Sequence, residues 1–235
     1  MKQPLIGQAA LGFRVHSGWA VLIVLRGPVE TPTILDRRRI EIADAEMSGS
    51  KQPYHAAQQL NLREATNLIA ACVRTSVRLA EKAVKTALDD AIRKSFRVSG
   101  CGVLIGSGKP LPTLEKILSS HPLLHTAEGE LFRNAIMTAC GNYGLSLTSV
   151  KEKQALIQSS SGLGISEEGI QQHLARMGKT IGPPWRQDEK AATLAAWLAL
   201  AADARGTRKR KIRVSTKPHQ PRLNPGTRKG GAKSC

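Results

Sequence analysis

The chain has 235 residues, of which 41% are hydrophobic and only 3% are aromatic. This composition suits a packed core of aliphatic side chains, and it excludes collagen-like, low-complexity and disulfide-rich miniproteins. The formal net charge is +17, and it is unevenly distributed, because residues 205–235 contain eleven basic residues and no acidic one. We therefore expect a folded domain over residues 1–204, followed by a disordered basic tail over residues 205–235.

The first part of the chain has the pattern of β-strands. We expect strands over residues 11–16, 19–25 and 33–43, the last of which ends in alternating apolar and charged residues. Such alternation puts one face of a strand on a core and the other in water. Gly27 and Pro28 favour a turn after the second strand. An antiparallel meander is the simplest arrangement of these three strands.

The rest of the domain alternates between helices and strands. From residue 65 to residue 92, apolar residues recur every three or four positions, which is typical of one long amphipathic helix. Apolar runs predict two more strands at residues 101–105 and 145–150. The remaining predicted helices cover residues 113–119, residues 126–139, a segment that starts at Ser166, and residues 188–202.

The cysteine pattern and the start of the chain bear on location. The four cysteines are widely spaced and form no CxxC pair, which favours reduced thiols over disulfides or a zinc finger. The first residues lack the long apolar region of a signal peptide. The apolar run over residues 19–25 is too short to cross a bilayer. We expect a soluble cytoplasmic protein that does not bind membranes.

Three segments carry a resemblance to a known family. Residues 11–21 look like a shortened first hairpin, in which a Gly-Trp-Ala run opens the second strand. Residues 128–151 look like a helix followed by the fifth strand, and residues 185–199 like a last helix with an acid before small residues. Together with the element order, these segments resemble the RuvC-type resolvases of the ribonuclease H-like superfamily. The resemblance spans residues 9–204 and implies an α/β fold, with a mixed five-stranded sheet flanked by helices.

The resemblance also implies a place for a nuclease site. Enzymes of this fold hold two divalent metal ions with carboxylates from the first strand, the end of the fourth strand and the last helix. Asp188 matches the position on the last helix. Phe13, Arg14 and Val15 lie where the first-strand acid is expected, and Gly106 lies where the fourth strand should supply a glutamate. With one carboxylate of three, the resemblance implies a degenerate nuclease site.

A polar segment over residues 119–130 offers a replacement site, because the implied fold carries it past the same end of the sheet. The candidate residues have side chains suited to acid–base or metal chemistry, and they are His125, Glu128 and Glu130, together with Asp188 and His16. The alternative is structural. In that case Thr126 caps a helix, the glutamates stabilise its N-terminus and the histidines fill a loop.

The basic tail predicts a partner. Eleven positive charges without an acid attract polyphosphates through counterion release, which gives salt-sensitive and sequence-independent binding. The tail lacks the apolar residues that a helix at a membrane surface needs. We therefore expect DNA or RNA as its partner. The predicted contacts are the cations that open the tail, namely Arg205, Arg208, Lys209, Arg210, Lys211 and Arg213.

The sequence thus favours a nucleic-acid-binding protein on a ribonuclease H-like scaffold with a degenerate nuclease site. Two alternatives remain open. The first is a divergent metal-dependent nuclease or phosphodiesterase that uses Mg²⁺ or Mn²⁺ with Asp188, Glu128, Glu130 and His125. The second is a structural adaptor whose basic tail docks on RNA or on an acidic protein.

Overall fold

A computed structural model describes residues 7–106 and 108–215, with side chains as far as Arg205. The strands are β1 (Gly7–His16), β2 (Trp19–Arg26), β3 (Thr33–Glu41), β4 (Phe96–Ile105) and β5 (Ser146–Lys151). The helices are α1 (Pro53–Ala57), α2 (Leu62–Arg93), α3 (Leu114–Leu118), α4 (His121–Asn142), α5 (Ala155–Leu163), α6 (Glu167–Ile181) and α7 (Gln187–Ser215). A short 3₁₀ turn, Glu152–Gln154, joins β5 to α5.

The five strands form one mixed sheet in the order β3-β2-β1-β4-β5. Strands β1, β2 and β3 are an antiparallel meander, whereas β4 and β5 run parallel to β1. The predicted α/β class, with a mixed five-stranded sheet flanked by helices, is confirmed. The carboxyl ends of β1, β4 and β5 meet at one edge of the sheet, which we call the C-terminal edge.

Each face of the sheet has its own hydrophobic core. On one face, Phe13 and Leu22 pack with Val84 of α2 and Phe132 of α4. On the other face, alternate residues of the strands pack against α5, α6 and α7, which contributes Trp197. This division follows from the two-residue period of a strand, which sends neighbouring side chains to opposite faces.

Helix α7 lies unusually close to the sheet. A Cβ atom added to Gly12 of β1 would lie 2.0 Å from the carbonyl oxygen of Ala192, and one added to Gly102 of β4 would lie 2.0 Å from that of Ala195. Only glycine permits this approach, and the facing helix residues are correspondingly small. The contact fixes the start of α7 against the C-terminal edge.

Among the predicted helices, the boundaries differ most from the observed ones at α4 and α7. α4 begins at His121, not at Thr126, since Pro122 occupies the first turn, where a missing N–H costs nothing. α7 continues to Ser215 and so crosses the boundary predicted at residue 204. Residues 205–215 are therefore helical, and the rest of the predicted tail, residues 216–235, lies outside the described residues.

Candidate functional site

Polar side chains from three elements meet at the C-terminal edge. Arg14 lies near the end of β1, Glu152 directly follows β5, and Asp188 lies in the first turn of α7. The Arg14 guanidinium donates through Nη2 to Oε1 of Glu152 at 2.7 Å, and its Nε lies 3.6 Å from Oδ1 of Asp188. One internal cation therefore bridges carboxylates from two different elements.

A second base faces Asp188 from the end of β1. Nε2 of His16 lies 3.0 Å from Oδ2 of Asp188, an ion-pair distance without the alignment of a hydrogen bond. The His16 ring stacks on Trp19 with 4.2 Å between centroids, and the Arg39 guanidinium lies 3.8 Å from the centre of the Trp19 ring. We call Arg14, His16, Glu152 and Asp188 the sheet-edge cluster. Both of its carboxylates face a base from β1.

The end of β4 borders the same edge, and it too is occupied by a guanidinium. Arg133 donates to Glu130 at 2.8 Å across one turn of α4. A Cβ atom added to Gly106 would lie 3.4 Å from Nη2 of Arg133. These three residues line an open pocket of about 530 Å³ together with Lys151, Glu152 and Lys153. The pocket thus carries more basic than acidic groups.

The residues at this edge do not fit the pair of Mg²⁺ or Mn²⁺ ions that the resemblance implies. Hard divalent ions require several oxygen ligands, most of them anionic. Here Phe13, Arg14 and Val15 lie where the first-strand carboxylate is expected, and Gly106 lies where the fourth-strand carboxylate is expected. The carboxylate of Asp188 already lies beside the Arg14 guanidinium. A guanidinium cannot lose its charge at ordinary pH, so it stands where a metal ion would be repelled.

A different polar cluster lies between α1 and α4. His55 of α1 faces His121 and His125, which are one helical turn apart on α4. One ring nitrogen from each of the three lies within 4.8 Å of the others, and Nε2 of His121 is 3.1 Å from Nε2 of His125. We call these three residues the histidine group. Among the described residues, it is the one set of three potential metal ligands this close together.

A buried carboxylate supports the histidine group from behind. Glu128, only 1% exposed, accepts a hydrogen bond at Oε1 from Nδ1 of His55 at 2.8 Å and from the main-chain N–H of His55 at 3.2 Å. Its second oxygen, Oε2, is buried without a hydrogen-bond partner. The bond to Nδ1 directs Nε2 of His55 away from Glu128 as the free acceptor.

The same carboxylate affects a neighbouring phenol. Burial, and in second place the negative charge of Glu128, raise the pKa of Tyr54 above its ordinary value. Tyr54 packs against the hydrophobic clusters that contain Ile40 and Leu124. The ionisation of its phenol can therefore report on changes in the histidine group.

The candidate nucleic-acid contacts begin at the far end of α7. Arg205 donates to the carbonyl oxygen of Gly162 at 2.9 Å, which ties this part of the helix to α5. The other five predicted cations belong to the helical part of the chain, but their side chains lie outside the described residues; they are Arg208, Lys209, Arg210, Lys211 and Arg213.

The structure distributes the predicted catalytic residues over separate clusters. It brings Glu128 and His125 together around His55. Among the described residues, Asp188 forms ion pairs with Arg14 and His16 and none with His125. Glu130 pairs with Arg133 at the sheet edge, which is on a different side of α4 from Glu128.

The structural alternative for the polar segment is wrong in its details. The histidines lie on a helix and not in a loop, and the Thr126 hydroxyl donates to the carbonyl of Pro122 inside α4 instead of capping it. Sequence reasoning also missed His55 and Glu152 as members of a site. The four-residue spacing of His121 and His125 was the available signal, since such residues share one face of a helix.

Comparisons with known proteins assign neither a family nor a function to the chain. No family model matches the chain, and no curated protein does. Among solved structures, the chain is similar to Thermus thermophilus RuvC in complex with a Holliday junction substrate, with 12% identity and a TM-score of 0.48. A second structure of Thermus thermophilus RuvC gives 11% identity and a TM-score of 0.42. Both alignments cover 85% of this chain and 97% of the other.

Two further observations concern the environment of the protein. None of the helices in the described part of the chain combines the length and the apolar character that crossing a membrane requires. Cys72, Cys101 and Cys140 are buried free thiols.

Proposed function

We propose that the protein binds nucleic acid without cleaving it at the sheet edge. The basic segment over residues 205–213 supplies the main contact, and the body adds the basic pocket beside β4. The observation that carries the proposal is the composition of this segment, which has six cations and no acid. In the body, by contrast, carboxylates face the guanidinium groups of Arg14 and Arg133. A reducing cytoplasm is the proposed location.

The charge density of the basic segment supports a polyphosphate partner. Residues 205–213 extend over roughly 12 Å of helix, at about 1.5 Å per residue. Duplex DNA carries about seven phosphate charges over that length, since one charge falls every ~1.7 Å. Six cations on the segment come close to that number. The partner is therefore proposed to be DNA or RNA, recognised through its backbone.

The sheet-edge cluster supports binding over hydrolysis. Two-metal hydrolysis of a phosphodiester needs two cations that stabilise the attacking and the leaving oxygens. At this edge Arg14 already provides a fixed positive charge between Glu152 and Asp188. A guanidinium can contact a phosphate, but it does not activate a water molecule as a bound metal ion does.

Salt dependence of binding tests the proposal directly. One variant of the full chain carries Arg208→Gln, Lys209→Gln, Arg210→Gln and Lys211→Gln. Its control removes the same charge from exposed positions of α2, with Arg63→Gln, Arg74→Gln, Arg78→Gln and Lys82→Gln. The slope of log K against log salt for duplex DNA should fall by roughly 3 to 4 in the first variant, because each phosphate contact contributes about 0.9. The control should keep the wild-type slope.

A cleavage assay on the same substrates separates the competing interpretations. Labelled single strands, duplexes, RNA–DNA hybrids and four-way junctions are incubated with Mg²⁺ or Mn²⁺, using the wild type and Asp188→Asn. We expect retention without cutting. Metal-dependent cutting that Asp188→Asn abolishes would establish the divergent phosphodiesterase. Complete loss of binding to every substrate in the first charge variant would favour the adaptor, whose tail is its whole binding surface.

A further inference from the structure

The sheet-edge cluster contains a permanent cation, the Arg14 guanidinium, whereas the histidine group contains none. One ring nitrogen from each of His55, His121 and His125 lies within 4.8 Å of the others, and the ring centroids are 4.6 to 5.4 Å apart. A neutral imidazole has one donor nitrogen and one acceptor nitrogen. The facing Nε2 atoms of His121 and His125 can share at most one hydrogen in the neutral state, so at least one of them presents a lone pair.

We propose that His55, His121 and His125 bind a single Zn²⁺ ion, with Glu128 as the residue that positions His55. Zinc is held by imidazole nitrogens at about 2.0–2.1 Å in tetrahedral sites, which places ligand nitrogens roughly 3.4 Å apart. The 3.1 Å between the Nε2 atoms of His121 and His125 is close to that separation. The third nitrogen lies within 4.8 Å of these two, so it must move closer to them to complete the site.

The carboxylate that would orient a metal-bound His55 is already in place. A metal-bound histidine usually donates its other N–H to a carboxylate or carbonyl, which fixes the tautomer and strengthens the ligand. Glu128 accepts from Nδ1 of His55 at 2.8 Å, and this carboxylate is buried, with Oε2 lacking a partner. A cation bound by His55 therefore also compensates a buried negative charge.

The ligand set selects the class of metal. Three neutral nitrogens suit zinc and the related late transition metals, whereas Mg²⁺ and Mn²⁺ prefer carboxylate and carbonyl oxygens. With three protein ligands the fourth position remains for water or another small ligand, and the exposure of His121 and His125 leaves it accessible. The ion would also fasten the five-residue helix α1 to α4. This site is independent of the proposed nucleic-acid binding.

Zinc competition with a chromophoric chelator tests the proposal on the full chain after metal is stripped from it. We expect one tight equivalent of Zn²⁺ for the wild type. The exposed positions allow His121→Gln and His125→Gln without disturbing a core, and each should weaken binding by more than the outer-shell change. Glu128→Gln keeps an acceptor for Nδ1 and should cost about 10–100-fold in affinity. His173→Gln, a histidine outside the group, should leave the affinity unchanged.

X-ray absorption at the zinc edge identifies the ligands. We expect imidazole nitrogen scattering at about 2.0–2.1 Å for the wild type, and the same shell with lower occupancy for Glu128→Gln. Sulfur scattering from cysteine would overturn the proposal. So would a wild-type affinity no higher than that of the combined His121→Gln and His125→Gln variant. Circular dichroism of each variant verifies that the fold is intact.

Discussion

The sheet-edge cluster and the histidine group balance their charges in opposite ways. At the sheet edge, Glu152 and Asp188 both face the permanent positive charge of Arg14, which belongs to the same chain. The three imidazoles of the histidine group come together with the buried carboxylate of Glu128, and none of these four residues is a lysine or an arginine. The first cluster is complete without a metal ion, and the second gains from one.

The difference shows how the position of a cation decides what a polar site can do. The Arg14 guanidinium cannot leave, and its charge is permanent, so it stabilises Glu152 and Asp188 in one arrangement. A zinc ion at the histidine group can dissociate, and its effect on the protein depends on its concentration. The two clusters therefore differ in whether the cation that faces their carboxylates is fixed or exchangeable.

The largest expected effect comes from forcing α7 away from β1. Gly12→Ala puts a methyl group into the carbonyl of Ala192, which is backbone and cannot rotate away. We expect the free energy of unfolding to fall by about 3 kcal/mol, the upper part of the usual cost of overpacking. Denaturant unfolding measures this change. Because α7 carries Asp188, the variant should also disturb the sheet-edge cluster while leaving zinc binding on the other face intact.

A second glycine provides the control for that substitution. Gly141 lies exposed in α4 with nothing within 4 Å of an added Cβ atom. Gly141→Ala should therefore stabilise the protein by about 0.5–1 kcal/mol, since alanine loses less backbone entropy in a helix. Equal effects of the two substitutions would contradict the close packing of α7 on the sheet.

An intermediate effect is expected within the histidine group in the absence of metal. His55→Ala removes a hydrogen-bond donor from the buried Glu128, whose other oxygen already lacks a partner. An unsatisfied buried polar group costs about 1–3 kcal/mol, so we expect a loss of about 2 kcal/mol. His125→Ala changes an exposed side chain and should alter stability by less than about 0.5 kcal/mol. Unfolding in the presence of a chelator compares the two variants.

The reverse order, with His125→Ala more damaging than His55→Ala, would show that the exposed pair on α4 and not Glu128 holds this region together. Excess Zn²⁺ should raise the melting temperature of the wild type and of neither variant, because binding to the folded state stabilises it by mass action.

The fold followed from the sequence more completely than the site did. Apolar patterns that repeat every two residues, or every three to four, are local. Residues 11–16 and 65–92 therefore revealed a strand and a helix without knowledge of their neighbours in the fold. The site depends on contacts between distant residues. Arg14 and Glu152 are 138 positions apart, and His55 and Glu128 are 73 apart. No periodicity records such pairs.

Local signals also failed where two of them competed. Thr126 suggested the cap of a helix preceded by a loop, but Pro122 is favoured in a first turn, and α4 starts at His121. That error hid the helical spacing of His121 and His125. The charge change at residue 205 predicts the end of the folded domain, and this boundary stays a prediction, while the helical backbone of α7 continues to Ser215.

The smallest expected effect is a change in stability at high pH through Tyr54. Burial, and then the charge of Glu128, raise the pKa of this phenol, so it ionises more readily in the unfolded chain than in the folded one. Its contribution to stability is fully present below pH ~10, the ordinary value for tyrosine, and is lost as pH rises through the higher folded pKa. The wild type should therefore lose stability above this pH more steeply than Tyr54→Phe.

The phenol can also report on the two sources of charge beside it. Glu128→Gln removes the negative charge but not the burial, so it should lower the pKa of Tyr54 only in part. Zinc in the histidine group opposes the charge of Glu128, so the wild type with zinc should move in the same direction, and His125→Gln should not respond. A phenolate titration, with Tyr54→Phe subtracted to remove the signal of Tyr143, measures both shifts. A pKa of Tyr54 that zinc leaves unchanged in the wild type would place the metal away from Glu128.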